Sequence, residues 1–170
     1  YTLDQFPMRD GFRSLKAWVS QNLLGKSDNN DIYVTDGYAV KMEYPLKEES
    51  IKNAGMRFRK LYEKYLKDSG GNIYLSLIPD KNYFLAESSR HLSMDYEKFF
   101  SMMREEMPYA QYIDITQLLS EQDYYKTDVH WRQENIVDAA EKIAGEMGIT
   151  LSGEYEVKTL EEDFYGVYFG

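Results

Sequence analysis

Residues 73–81 read Ile-Tyr-Leu-Ser-Leu-Ile-Pro-Asp-Lys, and this stretch says most about the fold. The run at 73–78 is almost entirely apolar and ends at a proline, which is typical of a strand buried on both faces of a parallel sheet. The sequence after it predicts a helix from about Met94 to Met107 and a second strand at 112–115. A strand, a helix and a strand in this order form a crossover unit whose strands run parallel. We therefore predict an α/β domain, with ligands bound outside the carboxyl ends of its strands.

Further elements surround this unit. Apolar residues at helical spacing predict helices at about 3–24, 46–67 and 136–147. The step Asp36-Gly37 between two short β-prone runs predicts a hairpin. With 170 residues, the chain suits one domain over 1–170.

Composition excludes several classes of function. The chain has 29 acidic and 20 basic residues, for a net charge of −9, so a phosphate backbone is repelled and we predict no nucleic-acid partner. The absence of cysteine excludes disulfides and thiolate metal sites. Tyrosine is the outlier at 16 copies, and two interpretations stay open: rings that cover the edges of the core, or rings that stack on sugars.

Both ends of the chain suggest that the natural protein is longer. The chain begins at Tyr1 rather than at a methionine, and it stops at Gly170 after a weakly patterned stretch. We expect a leader or anchor before it and further sequence after it, so that the domain is shortened at its C-terminus.

The candidate chemistry lies at residues 124–131, Tyr-Tyr-Lys-Thr-Asp-Val-His-Trp. In a Ser-His-Asp triad the acid accepts the Nδ1 proton of the imidazole, which leaves Nε2 to take the proton of the attacking hydroxyl. Asp128 and His130 are placed to do this if both side chains point the same way. Two alternatives stay open, in which Asp128 caps the following helix or His130 is structural.

The same pair could bind a metal, because imidazole and carboxylate are both good ligands for zinc. Metallophosphoesterases with an Asp-x-His motif need further histidines, and this chain has only His91 besides His130. His91 itself reads as a surface loop residue. The chain also has no P-loop and no dinucleotide-binding glycine motif. We predict neither a metal nor a cofactor.

Four other residues are candidates for the same edge of the sheet. Lys81 follows a strand and a proline, so it could hold an anionic or carbonyl group, or it could be a solvated loop lysine. Tyr125 and Trp131 flank the pair and would form a pocket wall. Asp114 is expected to anchor the turn that follows its strand.

The segment Tyr124 to Trp131 resembles the Thr-Asp-x-His-Trp signature of DHHW-family proteins and of the related alginate O-acetyltransferase proteins with an SGNH-hydrolase-like domain. Four more stretches of this sequence resemble the same family in a consistent order: FPMRDGF at 6–12, IYVTDGYAV at 32–40, IYLSLIPDK at 73–81 and YIDITQLL at 112–119. Val129 stands where the second histidine of the family name would be.

The resemblance implies a three-layer α/β/α domain with a mainly parallel sheet, SGNH-hydrolase-like and related in architecture to flavodoxin. It implies that Asp128 and His130 are the acid and base of a triad. In such proteins the serine lies well downstream of the motif, and the only serine after His130 is Ser152, which we do not assign. We therefore expect the nucleophile outside this chain.

The expected function is O-acyl transfer or ester hydrolysis on a surface polysaccharide or cell-wall glycan, with Tyr125, Trp131 and Lys81 contacting the substrate. The resemblance implies a location in the cell envelope or outside the cell, and an acyl donor supplied through a membrane-bound acyltransferase. The alternative is a non-catalytic cell-surface protein that keeps the fold and binds a glycan or a partner.

Overall fold

The computed structural model describes residues 8–19, 23, 30–151, 153, 156, 158 and 164–168. This part of the chain contains both α-helices and short strands. They are α1 Arg9–Trp18, β1 Ile32–Thr35, β2 Tyr38–Lys41, α2 Glu48–Leu61, β3 Tyr74–Leu75, α3 Lys81–Ser89, α4 Tyr96–Glu106, β4 Gln111–Tyr112 and α5 Val137–Glu146. A π-helical stretch, Tyr62–Leu66, extends α2, and 3₁₀ turns lie at Thr116–Leu118, Glu121–Asp123 and Gln133–Asn135.

The predicted helices are largely confirmed. Helix α2 with its extension covers most of 46–67, and α5 covers most of 136–147. Of the helix predicted at 3–24, α1 is its regular part, while positions 3–7, 20–22 and 24 lie outside the described residues.

The predicted hairpin is confirmed. Strands β1 and β2 pair antiparallel, with Ile32 opposite Lys41 and Thr35 opposite Tyr38. Asp36 and Gly37 both have positive φ, 48° and 80°. Positive φ at both central residues is the requirement of a type I′ turn, which matches the twist of the two strands.

The predicted crossover is also present, in a shorter form. Strands β3 and β4 run parallel, with Tyr74 opposite Gln111 and Leu75 opposite Tyr112. Two helices, α3 and α4, lie between them in sequence instead of the single predicted one. Helix α3 begins at Lys81 because the Asp80 carboxylate accepts the N–H groups of Asn82 and Tyr83, which makes Asp80 the N-cap of the helix.

The predicted three-layer α/β/α architecture with a mainly parallel sheet is wrong. The described chain forms two separate two-stranded sheets, one antiparallel and one parallel. The apolar run 73–78 is not buried on both faces, since residues 73–76 are only half-buried and Ile78 is 51% exposed. It leaves the ladder after Leu75, where the Ser76 hydroxyl donates to the Ile113 carbonyl. Its apolarity therefore reflects contact with helices and not a central position in a wide sheet.

Three small clusters of buried side chains form the core. One joins α2 to α4 through Ile51, Phe100 and Met103. A second lies between the chain after β4 and α5, around Ile115. The third packs the hairpin on α3, through Tyr33, Val40 and Leu85. This third cluster holds α3 against the hairpin, and the candidate site lies beside the start of that helix.

Candidate acid–base site

The motif segment forms a short hairpin-like loop. Tyr124 and Trp131 make an antiparallel bridge, and the Tyr125 N–H donates to the His130 carbonyl at 3.1 Å. One step further out, the Arg132 N–H donates to the Asp123 carbonyl at 2.7 Å. Residues 126–129 form the tip, so Asp128 and His130 lie on one side of a closed loop.

Asp128 is buried, and its carboxylate is fully engaged. Residue Asp128 is 4% exposed. Its Oδ1 accepts the His130 N–H at 3.0 Å and contacts His130 Nδ1 at 2.5 Å, while Oδ2 accepts the Val167 N–H at 3.0 Å. Burial alone raises the pKa of Asp128, but the hydrogen bonds from His130 and Val167 outweigh it and hold the pKa below its usual value. The carboxylate is therefore ionised at neutral pH.

His130 is oriented by that carboxylate and open to solvent. An ionised carboxylate only accepts hydrogen bonds, so the ring carries its proton on Nδ1 and leaves Nε2 unprotonated when neutral. The His130 side chain is 76% exposed. Among the described residues, none is hydrogen bonded to Nε2. The atom that would accept a proton in a triad is thus available to a reacting group.

The geometry decides between the interpretations left open for this pair. Asp128 does not cap the following helix, because its oxygens bind His130 and Val167 while α5 begins only at Val137. The loop is an Asx-type turn, in which an aspartate side chain binds the N–H two residues on. The His130 side chain is 76% exposed, so it is not a buried structural histidine.

Lys81 lies beneath the loop and is buried, with 3% of the residue exposed. Its Nζ donates to the carbonyls of Tyr125 and Lys126, at 3.0 and 3.1 Å. Burial lowers the pKa of Lys81 to about 8, although the charges of Asp128 and Asp80 oppose the change. Lys81 is therefore neither a solvated loop lysine nor placed to hold a substrate group, since its amine is used inside the protein.

The two predicted aromatic contacts differ in position. Tyr125 is half-buried, and its ring lies 4.9 Å from that of Phe164. Trp131 packs on the core cluster around Ile113 and Ile115. Tyr125 lines a cleft beside the loop, whereas Trp131 supports the base of the loop from the core side.

A cleft of about 420 Å³ lies beside the loop. Its lining is rich in aromatic rings and also carries charged side chains: Tyr38, Tyr124, Tyr125, Lys126, Thr127, Arg132, Glu134, Phe164 and Tyr165. Arg132 is paired with Glu134 at 2.7 Å. Phe164 and Tyr165 are exposed, and an exposed aromatic ring can stack on a sugar. A second cleft of about 740 Å³ shares Tyr125 and Glu134 with the first.

The structure also shows the positions of Asp114 and His91. Asp114 anchors the turn after its strand, as predicted, because its Oδ1 accepts the backbone N–H and the hydroxyl of Thr116 at 2.9 and 2.7 Å. These two bonds lower the pKa of Asp114. His91 is half-buried and not a surface residue, since its ring stacks on Tyr33 with 3.8 Å between centroids.

Two contributors to the site were missed from the sequence. The Val167 N–H binds Asp128, and Gly166 packs on the loop backbone. Tyr124, the first residue of the motif segment, is buried and donates its hydroxyl to the Pro79 carbonyl. Backbone groups leave no signal in side-chain identity, so nothing in the sequence pointed to Val167. Ser152, the one serine after His130, lies outside the described residues.

Two features are absent from the part of the chain that the structure describes. No three histidine, aspartate or glutamate side chains in that part of the chain converge on a common metal position. Within the same residues, no helix has the length and apolarity needed to cross a bilayer. No known protein family, curated protein or solved structure matches this chain.

Proposed function

We propose that this chain carries the acid–base pair of an acyl-transfer or ester-hydrolysis site that acts on a carbohydrate of the cell envelope or the extracellular space. The observation that carries the proposal is the 2.5 Å contact between the buried Asp128 carboxylate and Nδ1 of the exposed His130 ring. The sequence resemblance to the DHHW family supports the choice of acyl chemistry.

In the proposed reaction, His130 Nε2 takes the proton of a serine hydroxyl while the serine oxygen bonds to the ester carbonyl carbon. The imidazolium that forms is stabilised by Asp128. It then gives its proton to the leaving alcohol, so that an acyl-serine remains. A sugar hydroxyl or water next loses its proton to His130 and attacks the carbonyl carbon of the acyl-serine. The bond to the serine oxygen then breaks, and that oxygen takes the proton back from His130, which restores the free serine.

We place the serine of this scheme outside these 170 residues because the proteins that the sequence resembles carry it well downstream of the motif. Among the described residues, no hydroxyl is bonded to His130 Nε2. The resemblance further supports an acyl donor delivered through a membrane-bound acyltransferase and a polysaccharide acceptor.

The test uses the complete gene product and a chromogenic acetyl ester. We expect kcat/KM to fall by about 10³-fold or more in His130→Ala and in Asp128→Asn. The first change removes the proton acceptor, and the second removes the carboxylate that orients it. The matched control is Val129→Ala, which lies between the two residues and is 46% exposed. Val129→Ala should keep the wild-type rate. Equal ester hydrolysis by wild type and His130→Ala would refute the proposal.

A second candidate is a binding protein without turnover, and the aromatic cleft favours it. Tyr38, Tyr125 and Phe164 line a space of about 420 Å³, which is large enough for a sugar ring. The same experiment distinguishes the catalytic function from the binding function. Glycan binding by wild type, weakened in Tyr125→Ala and accompanied by no ester hydrolysis, would favour binding over catalysis.

A further inference from the structure

Lys81 occupies a position that local structure does not explain. It is the first residue of α3, where the helix dipole is positive and disfavours a cation. It is also 3% exposed, although burying an ammonium group carries a large desolvation cost. A lysine in this position needs a compensating tertiary interaction.

That interaction is with the loop that carries the acid–base pair. The Lys81 amine donates to the carbonyls of Tyr125 and Lys126, which directly precede Thr127 and Asp128. These carbonyls have second partners. The Tyr125 carbonyl also accepts the Asp128 N–H at 3.4 Å, and the Lys126 carbonyl accepts the Ala39 N–H of β2 at 2.8 Å. One amine thus joins α3, the hairpin and the motif loop.

The surroundings of the amine favour this single arrangement. The rings of Tyr38 and Tyr168 lie 5.9 and 5.5 Å from Nζ. Such ring faces attract a cation. The charges of Asp128 and Asp80 also favour the protonated amine. Two of the N–H donors of the amine are bonded to carbonyls, and two aromatic rings lie beside it. The amine therefore has little room to move.

We propose that Lys81 is a positioning residue for the Asp128–His130 pair: its buried amine holds the two carbonyls before Asp128 and so keeps the carboxylate aligned with His130 Nδ1. The catalytic meaning of this alignment rests on the proposed function, but the alignment itself does not. Lys81 touches no reacting group in this scheme.

The first test follows the His130 ring in the protein itself. We expect ¹⁵N NMR of the wild type to show neutral His130 predominantly as the Nδ1–H tautomer. In Lys81→Met, which keeps the side-chain length without a donor, the ring should become a mixture of both tautomers. Lys60→Met, an exposed lysine on α2, is the control and should leave the ring signals unchanged.

A purely structural role predicts a different result. In that case Lys81→Met lowers the free energy of unfolding, yet the native His130 ring keeps its single tautomer, and the proposal is overturned. If Lys81→Met does not fold, Lys81→Gln replaces it, since its amide has two N–H donors on a shorter side chain. We expect the Lys81→Gln ring to populate the second tautomer more than the wild-type ring does; a wild-type ring there overturns the proposal.

The second test measures ester hydrolysis by the complete gene product. We expect Lys81→Met to lower kcat about 10- to 100-fold with little change in KM, as for a misaligned catalytic group. The two proposals fail separately. A wild type without turnover contradicts the proposed function and leaves the NMR result to decide the role of Lys81. Turnover by wild type with unchanged kcat in Lys81→Met contradicts the role of Lys81 alone.

Discussion

Asp128 receives three N–H groups, and one of them comes from Val167, 39 residues later in the chain. The remaining two come from His130. The bond from Val167 binds the oxygen that faces away from the ring, so the carboxylate cannot rotate without losing it. The orientation of His130 therefore depends on residues 164–168 as well as on the motif.

Gly166 allows that close approach. A Cβ added at Gly166 would lie 2.4 Å from the Thr127 carbonyl oxygen and 2.5 Å from the Asp128 Cβ. Because the Thr127 carbonyl is backbone, the overlap cannot be relieved by a side-chain rotation. We expect Gly166→Ala to lower the free energy of unfolding by about 1–3 kcal/mol, measured by urea denaturation.

A second glycine serves as the control for this prediction. At Gly71 an added Cβ would meet only the Ser69 hydroxyl, at 3.4 Å. Gly71→Ala should change the free energy of unfolding by less than about 0.5 kcal/mol. Equal stability of the two variants would show that residues 164–168 do not pack on the loop as described.

At the scale of elements, α3 organises the site through its N-cap, Asp80, and its first residue, Lys81. Asp80 caps the helix and also accepts the Tyr96 hydroxyl of α4 at 2.7 Å, while Lys81 binds the motif loop. The start of α3 is thus connected both to α4 and to the loop. The sequence analysis predicts no helix here, although aspartate is among the preferred N-cap residues.

The packing of α2 on α4 gives a prediction of its own. Gly55 of α2 is buried, and an added Cβ would lie 2.5 Å from the Cβ of Glu106 at the end of α4. We expect Gly55→Ala to destabilise the protein by about 1–3 kcal/mol, because the helices must move apart despite the better helix propensity of alanine. Thermal or urea unfolding measures the change.

Gly145 of α5 is the control for the Gly55 prediction, because a substitution there changes helix propensity without changing the packing. It lies inside a helix, and an added Cβ meets no atom within 4 Å. Gly145→Ala should therefore stabilise the protein by up to about 1 kcal/mol. If Gly55→Ala stabilised the protein as much as Gly145→Ala, the close contact between α2 and α4 would be wrong.

For the whole molecule, Lys81 predicts an unusual dependence of stability on pH. Its pKa is about 8 in the folded protein against 10.5 for an ordinary lysine. Between these values the unfolded chain binds a proton that the folded chain does not, so the free energy of unfolding rises with pH. The full difference corresponds to about 3 kcal/mol. The neutral amine still has two N–H donors for its two carbonyls.

The rise has an upper limit, because burial raises the pKa of Tyr96 and Tyr124 above the ordinary value of 10.0. Above that pH the unfolded chain loses tyrosine protons that the folded chain keeps, and stability falls. Urea denaturation from about pH 7 to 10 should show the rise in wild type and in Lys60→Met and not in Lys81→Met. If Lys81→Met showed the same dependence of unfolding free energy on pH as wild type, the rise would not come from Lys81.

Local patterns predicted the regular elements well. Helix α2, helix α5 and the β1–β2 hairpin follow from apolar spacing and from Asp36-Gly37, because these signals act between residues close in sequence. The candidate pair was predicted for the same reason, since an aspartate binds its own chain two residues on. The sheet was mispredicted, because the same apolar run suits a central strand and a segment packed on helices.

The sequence by itself determined helices α1, α2, α4 and α5, the hairpin and the position of Asp128 two residues before His130, all of which depend on short-range geometry. Only the tertiary structure decided that two small sheets form instead of one wide sheet. It also decided that Lys81 is buried under the loop and that Val167 binds the second oxygen of Asp128. These contacts join residues about 40 apart through backbone carbonyls and N–H groups. Every residue type carries such groups except for the missing N–H of proline, so the identity of the side chains does not specify which of them meet.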